Sequence, residues 1–186
     1  MQFYPTKLSD VVIVDPRVFD DKRGYFMETY NEREFSKSGF ELRFVQTNMS
    51  SSKRGTLRGL HYQLAPYAQG KLVRVVKGTV FDVAVDLRKG SPAFGQWVGI
   101  ELSEYNKRSV YIPPGFAHGF YVLSDIAEFL YQCTAFYNPK AERGILWKDR
   151  EIAIEWPIVG SLCILSEKDE KLPLLKDAEI NFTYEG

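Results

Sequence analysis

Histidine and cysteine are both scarce here, two of each in a chain of 186 residues. Cys133 and Cys163 lie far apart with no CxxC spacing, which excludes a disulfide framework, a thiolate metal cluster and a dithiol redox pair. His61 and His118 form no H-x-H pair, and two imidazoles fall short of a three-histidine metal set. A tightly bound transition metal is therefore disfavoured, and no cofactor is expected. Neither sign of charge is in excess: 24 Lys and Arg balance 24 Asp and Glu. That balance excludes a basic surface for coating nucleic acid, so an anionic ligand would need cations placed locally. No apolar run approaches the roughly 20 residues that cross a bilayer, and Met1 to Lys7 show no basic stretch leading into an apolar one. A soluble, cytoplasmic protein without a membrane partner is the expectation.

What the chain does have is aromatics, 15% of its residues, and short apolar runs of period two broken by Gly, Pro, Asn and Ser. This is a β pattern. Phe81, Val83, Val85 and Leu87 alternate with Val80, Asp82, Ala84 and Asp86, giving one apolar face and one that carries two carboxylates. Lys77-Gly78 ahead of them reads as a hairpin turn from a strand over 72–76. Further strands are predicted at 11–14, 24–30, 44–50, 56–63, 97–102, 109–112, 119–123, 128–137 and 162–165. Helix signals are few: Asn31 as N-cap with Gly39 beyond predicts a short helix over 32–38, and the charged tail from Glu167 offers another. Ten or more short strands in 186 residues predict one mainly β domain, a closed barrel or double-sheet jelly roll, which can hold a ligand in its mouth.

The two histidines sit in the most distinctive segments, Leu57 to Gln63 and Ile112 to Phe120. Strand parity places His61 on one face with Gly59 and Gln63, and a bulge at Gly59 would bring Arg58 into the same cavity. Gln46, Asn48 and Ser50 form a second polar face, open to two readings: a solvated edge or the wall of a wet sugar pocket. Lys71 at a strand start and Tyr131 inside an apolar run read singly as a surface lysine and a core tyrosine. With His61 they make a base, a cation and a phenolic acid.

At these residues the chain resembles the dTDP-4-dehydrorhamnose 3,5-epimerase family, cupin-type jelly-roll barrels. The resemblance runs through Asp21 to Glu28, Val45 to Ser50, Leu57 to Gln63, Gln69 to Val73, Val83 to Arg88, Ser91 to Gly95, Pro113 to Phe120 and Leu165 to Asp169. Many blocks in one order are specific where each alone is weak. Departures are mild, Cys133 near the proposed acid and Tyr62 where phenylalanine is also common.

The resemblance implies inversion of C3 and C5 of dTDP-4-dehydro-6-deoxy-D-glucose, giving dTDP-4-dehydro-β-L-rhamnose for L-rhamnose synthesis. His61 would be the general base and Asp169 the carboxylate that orients it; Lys71 would stabilise the enolate and Tyr131 return a proton. Asp169 is selected by the family alone, since Glu167 to Lys171 otherwise reads as a solvated charged turn. Arg58 is the best pyrophosphate ligand because its fork can bond two oxygens. Arg23, Phe26, Glu28, Gln46, Asn48 and Lys168 match nucleotide-holding positions, Tyr137 would stack on thymine, and Asp82 and His118 would support Lys71 and line the pocket. The family is homodimeric, with the segment from Arg23 to Glu28 reaching into the neighbour's site. Competing readings are an epimerase of one carbon only, a sugar-binding barrel without catalysis, and a metal-dependent oxidoreductase barrel.

Overall fold

A computed structural model describes residues 1–160 and 162–185. Two antiparallel sheets face each other, as strand alternation requires when each sheet has one face to bury. The first is built from β1 (Gln2–Pro5), β2 (Val12–Asp15), β5 (Gln46–Lys53), β7 (Lys71–Lys77), β10 (Ser109–Ile112) and β12 (Ile126–Cys133), in the order β1-β2-β10-β7-β12-β5. The second is built from β6 (Leu57–Gln63), β8 (Thr79–Asp86), β9 (Trp97–Ser103), β11 (Phe116–Val122) and β13 (Glu142–Gly144), in the order β13-β6-β11-β8-β9. β3 (Val18–Asp21) and β4 (Gly24–Met27) form a separate two-stranded hairpin. The predicted mainly β, double-sheet architecture with few short helices is the one found.

The space between the sheets is divided. Val73, Val75, Val80, Ala84, Val98, Leu102, Val110 and Ile112 fill one part with a fully apolar core. Phe120 and Phe129, stacked at 4.2 Å between ring centroids, close that core off from the polar part, and His118 stacks on the same Phe129 ring. A second apolar layer lies outside the five-stranded sheet, where Leu60, Tyr62, Val83, Val85 and Leu87 are covered by Ile145, Ile152, Leu175, Ile180 and Phe182. Hence β8 is buried on both sides: its Asp82 and Asp86 face belongs to the interior and its Val83 and Val85 face lies under the C-terminal segment.

Several local expectations need correction. Lys77-Gly78 is no hairpin turn, because β7 pairs with β10 and β12 while β8 pairs with β9 and β11. Gly78, at φ +81°, is the corner where the chain passes from one sheet to the other, and a Cβ there would come within 2.1 Å of the Ile126 carbonyl oxygen. Residues 162–165 form no strand and contribute one isolated bridge, Thr56 to Ile164. The strands β1, β3 and β13 went unpredicted, and the strand expected over 128–137 stops at Cys133. The first helix, α1 (Glu32–Lys37), starts as its cap foretold, with the Asn31 side chain accepting from the Arg33 and Glu34 amides.

Candidate active site

His61 enters the interior from β6 because the chain bulges just before it. The β6–β11 register shifts between His118 and Phe120, and Gly59 stands at φ +121° with room for no Cβ: its place would lie 2.6 Å from Gly119 Cα. The bulge aims both Arg58 and His61 into one cavity, as parity with a bulge predicted. Opposite, the six-stranded sheet contributes Lys71 from β7 and Tyr131 from β12; Cys133 pairs with Lys71 across these strands, and Val73 pairs with Tyr131.

Two connected lobes result. One, of about 230 Å³, is lined by Ser50, Arg58, His61, Lys71, His118, Tyr131, Lys168 and Asp169, with Phe120 and Phe129 as its floor. The other, of about 320 Å³, is lined by Gln46, Asn48, Gln63, Gln69, Tyr137 and Glu142. His61, Lys71 and Tyr131 border both lobes. Volumes of this order suit a small ligand, for which pockets run about 300–1,000 Å³.

Asp169 is the least expected member. It lies in α2 (Glu167–Glu170), capped by Ser166, whose side chain accepts from the Asp169 amide. The helix buries Asp169 against β6, where its Oδ1 meets His61 Nε2 at 2.6 Å. Burial works to raise the Asp169 carboxyl, but the hydrogen bond and charge of His61, with bonds from Ser166 and the Gly59 backbone, outweigh it and hold the group below the usual carboxylate value. An ionised carboxylate only accepts, so Nε2 carries a proton, and in the neutral ring it is Nδ1 that holds the lone pair. The imidazole is thereby oriented as a base.

Burial lowers the Lys71 ammonium from its ordinary value, while Cys133, Asp82 and Glu142 pull it back up. Burial raises the Tyr131 phenol, as does the nearby Cys133, with Arg58 opposing. Burial thus works against the charged form of Lys71 and keeps the Tyr131 phenol protonated. A second aspartate–histidine pair, His118 Nε2 to Asp82 Oδ2 at 2.8 Å, stands beside the first, since His118 is the cross-strand partner of His61.

The nucleotide-side candidates divide. Gln46 donates to Asn48 (2.9 Å) and accepts from the Tyr137 amide (2.9 Å), so these three are tied together at the second lobe. Arg58 Nε donates to Ser52 Oγ (3.0 Å), leaving the outer end of its fork available, and Lys168 pairs with Glu142. By contrast Arg23, Phe26 and Glu28 do not reach this chain's own pocket: Arg23 pairs with Asp21, Phe26 is 71% exposed, and Glu28 accepts from Asn31. Sequence reasoning missed Glu142, which accepts from Tyr137 Oη (2.8 Å) as well as from Lys168. It lies between Lys140 and Arg143 with no local signal to mark it; only its pairing with Gln63 from β13 reveals the site.

A jelly roll with an aspartate-held imidazole on one wall, and an ammonium and a phenol on the other, defines a protein equipped for proton transfer at carbon beside a carbonyl. The comparisons name the family: the match described as dTDP-4-dehydrorhamnose 3,5-epimerase spans residues 5–177, and the chain belongs to it. A Shigella flexneri dTDP-4-dehydrorhamnose 3,5-epimerase is 58% identical over 170 residues, 91% of this chain and 93% of that one. The crystal structure of dTDP-6-deoxy-D-glucose-3,5-epimerase from Legionella pneumophila, in complex with dTDP-4-keto-L-rhamnose, superposes with a TM-score of 0.95 at 46% identity, covering 100% of this chain and 99% of that one. A 3′-monoepimerase from Streptomyces bikiniensis, in complex with dTDP-quinovose, shares the fold at 32% identity and a TM-score of 0.88, covering 93% and 87%. Among the described residues no helix is long and apolar enough to cross a membrane, and no cluster of three metal-ligating side chains occurs.

Proposed function

We propose that the chain, as one epimerase domain over residues 1–186, inverts C3 and C5 of dTDP-4-dehydro-6-deoxy-D-glucose, giving dTDP-4-dehydro-β-L-rhamnose for L-rhamnose synthesis. The observation that carries this reading is the placement of His61 and Tyr131 on facing sheets of one cavity, with Lys71 beside Tyr131. Hydrogens on C3 and C5 are acidified by the C4 ketone between them. His61 Nδ1 takes one as a proton, the C–H electron pair moves into the ring, and the charge comes to rest on the C4 oxygen, where Lys71 stabilises it. Tyr131 then gives its phenolic proton to the same carbon from the opposite face, and the enolate electrons form the new C–H bond. Exchange with water returns His61 and Tyr131 to their starting states. Asp169 keeps the imidazole in its tautomer, while Arg58 and Lys168 hold the diphosphate and Tyr137 stacks on thymine with Gln46 and Asn48 beside it.

Arg23, Phe26 and Glu28 are assigned to the site of a second copy in a homodimer. Three facts favour this. The hairpin that carries the first two is outside both main sheets; the outer face of the six-stranded sheet leaves Met49 57% and Val76 45% exposed; and Arg74 Nε on that face is buried with no hydrogen-bond partner among the described residues.

The test is turnover in D₂O. Label at both C3 and C5 of the product is expected. Label at a single carbon would instead assign the chain to single-carbon epimerases, the activity of the Streptomyces bikiniensis structure.

A further inference from the structure

We propose that Lys107 is a positioning residue for the hairpin β3–β4, holding it in the orientation in which it completes the site of the second copy. The inference rests on the composite site proposed above and assigns the device that sets its geometry. The hairpin has no ladder to either sheet, so side chains must locate it. Lys107 Nζ stands 4.3 Å from the centroid of the Tyr25 ring, and at the hairpin's base Arg74 Nη2 lies 3.9 Å from Met27 Sδ. Successive strand residues face opposite ways, so a cation that fixes Tyr25 on one face of β4 presents Phe26 on the other, next to Arg23 at the turn.

The backbone at Lys107 is evidence that the side chain matters. Its φ is +56°, the left-handed region that glycine or asparagine occupies at less cost. The turn over 103–108 enforces this conformation. Asn106 accepts from the Ser103 and Arg108 amides (3.1 and 3.2 Å) and donates to the Glu101 carbonyl (3.0 Å), while the Lys107 amide donates to the Ser103 carbonyl (3.0 Å). Lys107 Nζ also donates to the Glu104 carbonyl (3.1 Å), which fixes the ammonium over the ring. A turn that wanted only its own stability would place glycine here.

A hairpin that visits its docked orientation less often lowers the population competent to bind, which raises apparent KM and leaves saturated turnover intact. Lys107→Met keeps the backbone cost and removes the cation. It is expected to raise KM for dTDP-4-dehydro-6-deoxyglucose about two- to fivefold, the scale of one half-exposed cation–π contact, with kcat unchanged. Lys107→Arg should return KM to the native value. Lys107→Gly should raise KM equally while leaving Tm unchanged or higher, a split that a merely structural turn residue would not produce. Tyr25→Leu removes the ring instead and should match Lys107→Met. An unchanged KM in Lys107→Met, or a native KM in Lys107→Gly, overturns the proposal. Mixing Arg23→Ala chains with His61→Ala chains tests the composite site separately: hybrid dimers contain one intact site and regain activity, and no regain removes the composite reading whatever Lys107 does.

Discussion

His61 and His118 face each other across neighbouring strands, each with its Nε2 on a buried aspartate, yet the two pairs are built for different work. The His61 side chain is 29% exposed and its aspartate comes from a helix remote in sequence; the His118 side chain is 9% exposed, stacks on Phe129, and takes its aspartate from the adjacent strand. The same two residue types thus make one imidazole open to the cavity, the base proposed above, and one that braces the wall behind it. Access separates them, since chemistry and hydrogen bonding are shared. Asp169 can be supplied late in the chain because it only has to meet an imidazole already aimed into the cavity by the Gly59 bulge.

The sharpest way to break that comparison is to remove each imidazole in turn. His61→Ala is expected to lower kcat by about 10³- to 10⁴-fold, near the upper range for a general base, with dTDP affinity close to native by calorimetry. Lys71→Met should follow, with a loss of about 10²- to 10³-fold, because the cation acts where charge develops. Its effect on stability has the opposite sign. Burial depresses the Lys71 pKa below the unfolded value, which costs stability in full below the depressed value and progressively less as pH rises from there to the unfolded value. Lys71→Met should therefore have an equal or higher Tm at pH 7, and a lower Tm would contradict the desolvated placement.

Asp169→Asn sharpens the same comparison at acid pH. With its folded pKa depressed, Asp169 contributes stability fully above the unfolded carboxylate value of about 4 and loses it as pH falls through the depressed value. The variant should be less stable than native protein at pH 7, with the two melting curves converging as pH falls through the depressed value. Activity should fall as well, by no more than in His61→Ala, because the imidazole itself is kept. Equal convergence at pH 7 would mean that the carboxylate is not held by His61.

Much of this was legible beforehand, and the illegible parts share a cause. Alternation in β8 and the glycine beside His61 are local signals, so they survive translation into structure: a period of two and a residue without Cβ mean the same thing in any context. Lys77-Gly78 misled because a glycine corner between two sheets and a hairpin turn demand the same left-handed backbone; which one forms is decided by strand pairing elsewhere. Asp169 and Glu142 were hidden inside charged runs, where the members that end up buried are chosen by distant partners, His61 and Lys168. Arg23, Phe26 and Glu28 match positions that the family resemblance implies, yet none of them lines this chain's own cavity. In the homodimer proposed above their partners lie on another copy, and such partners leave no trace in the periodicity of this chain.

The smallest expected loss of turnover belongs to His118, and it decides whether the brace is a brace. His118→Phe keeps the ring stack on Phe129 but leaves the Asp82 carboxylate, 1% exposed, without its donor. Breaking a buried pair from one side typically costs about 3–5 kcal/mol, so a large drop in denaturant midpoint is expected. Asp82→Asn with His118→Phe removes the stranded charge as well and should recover much of that stability, since replacing both members of a buried pair is often near neutral. If His118 only walls the cavity and supports Lys71 from behind, both variants keep a kcat at least about 100-fold above that of His61→Ala, because base, cation and acid are all still present. A loss in the double variant as deep as that of His61→Ala, with its stability recovered, would place a second proton-transfer group on β11 and merge the two pairs into one catalytic unit.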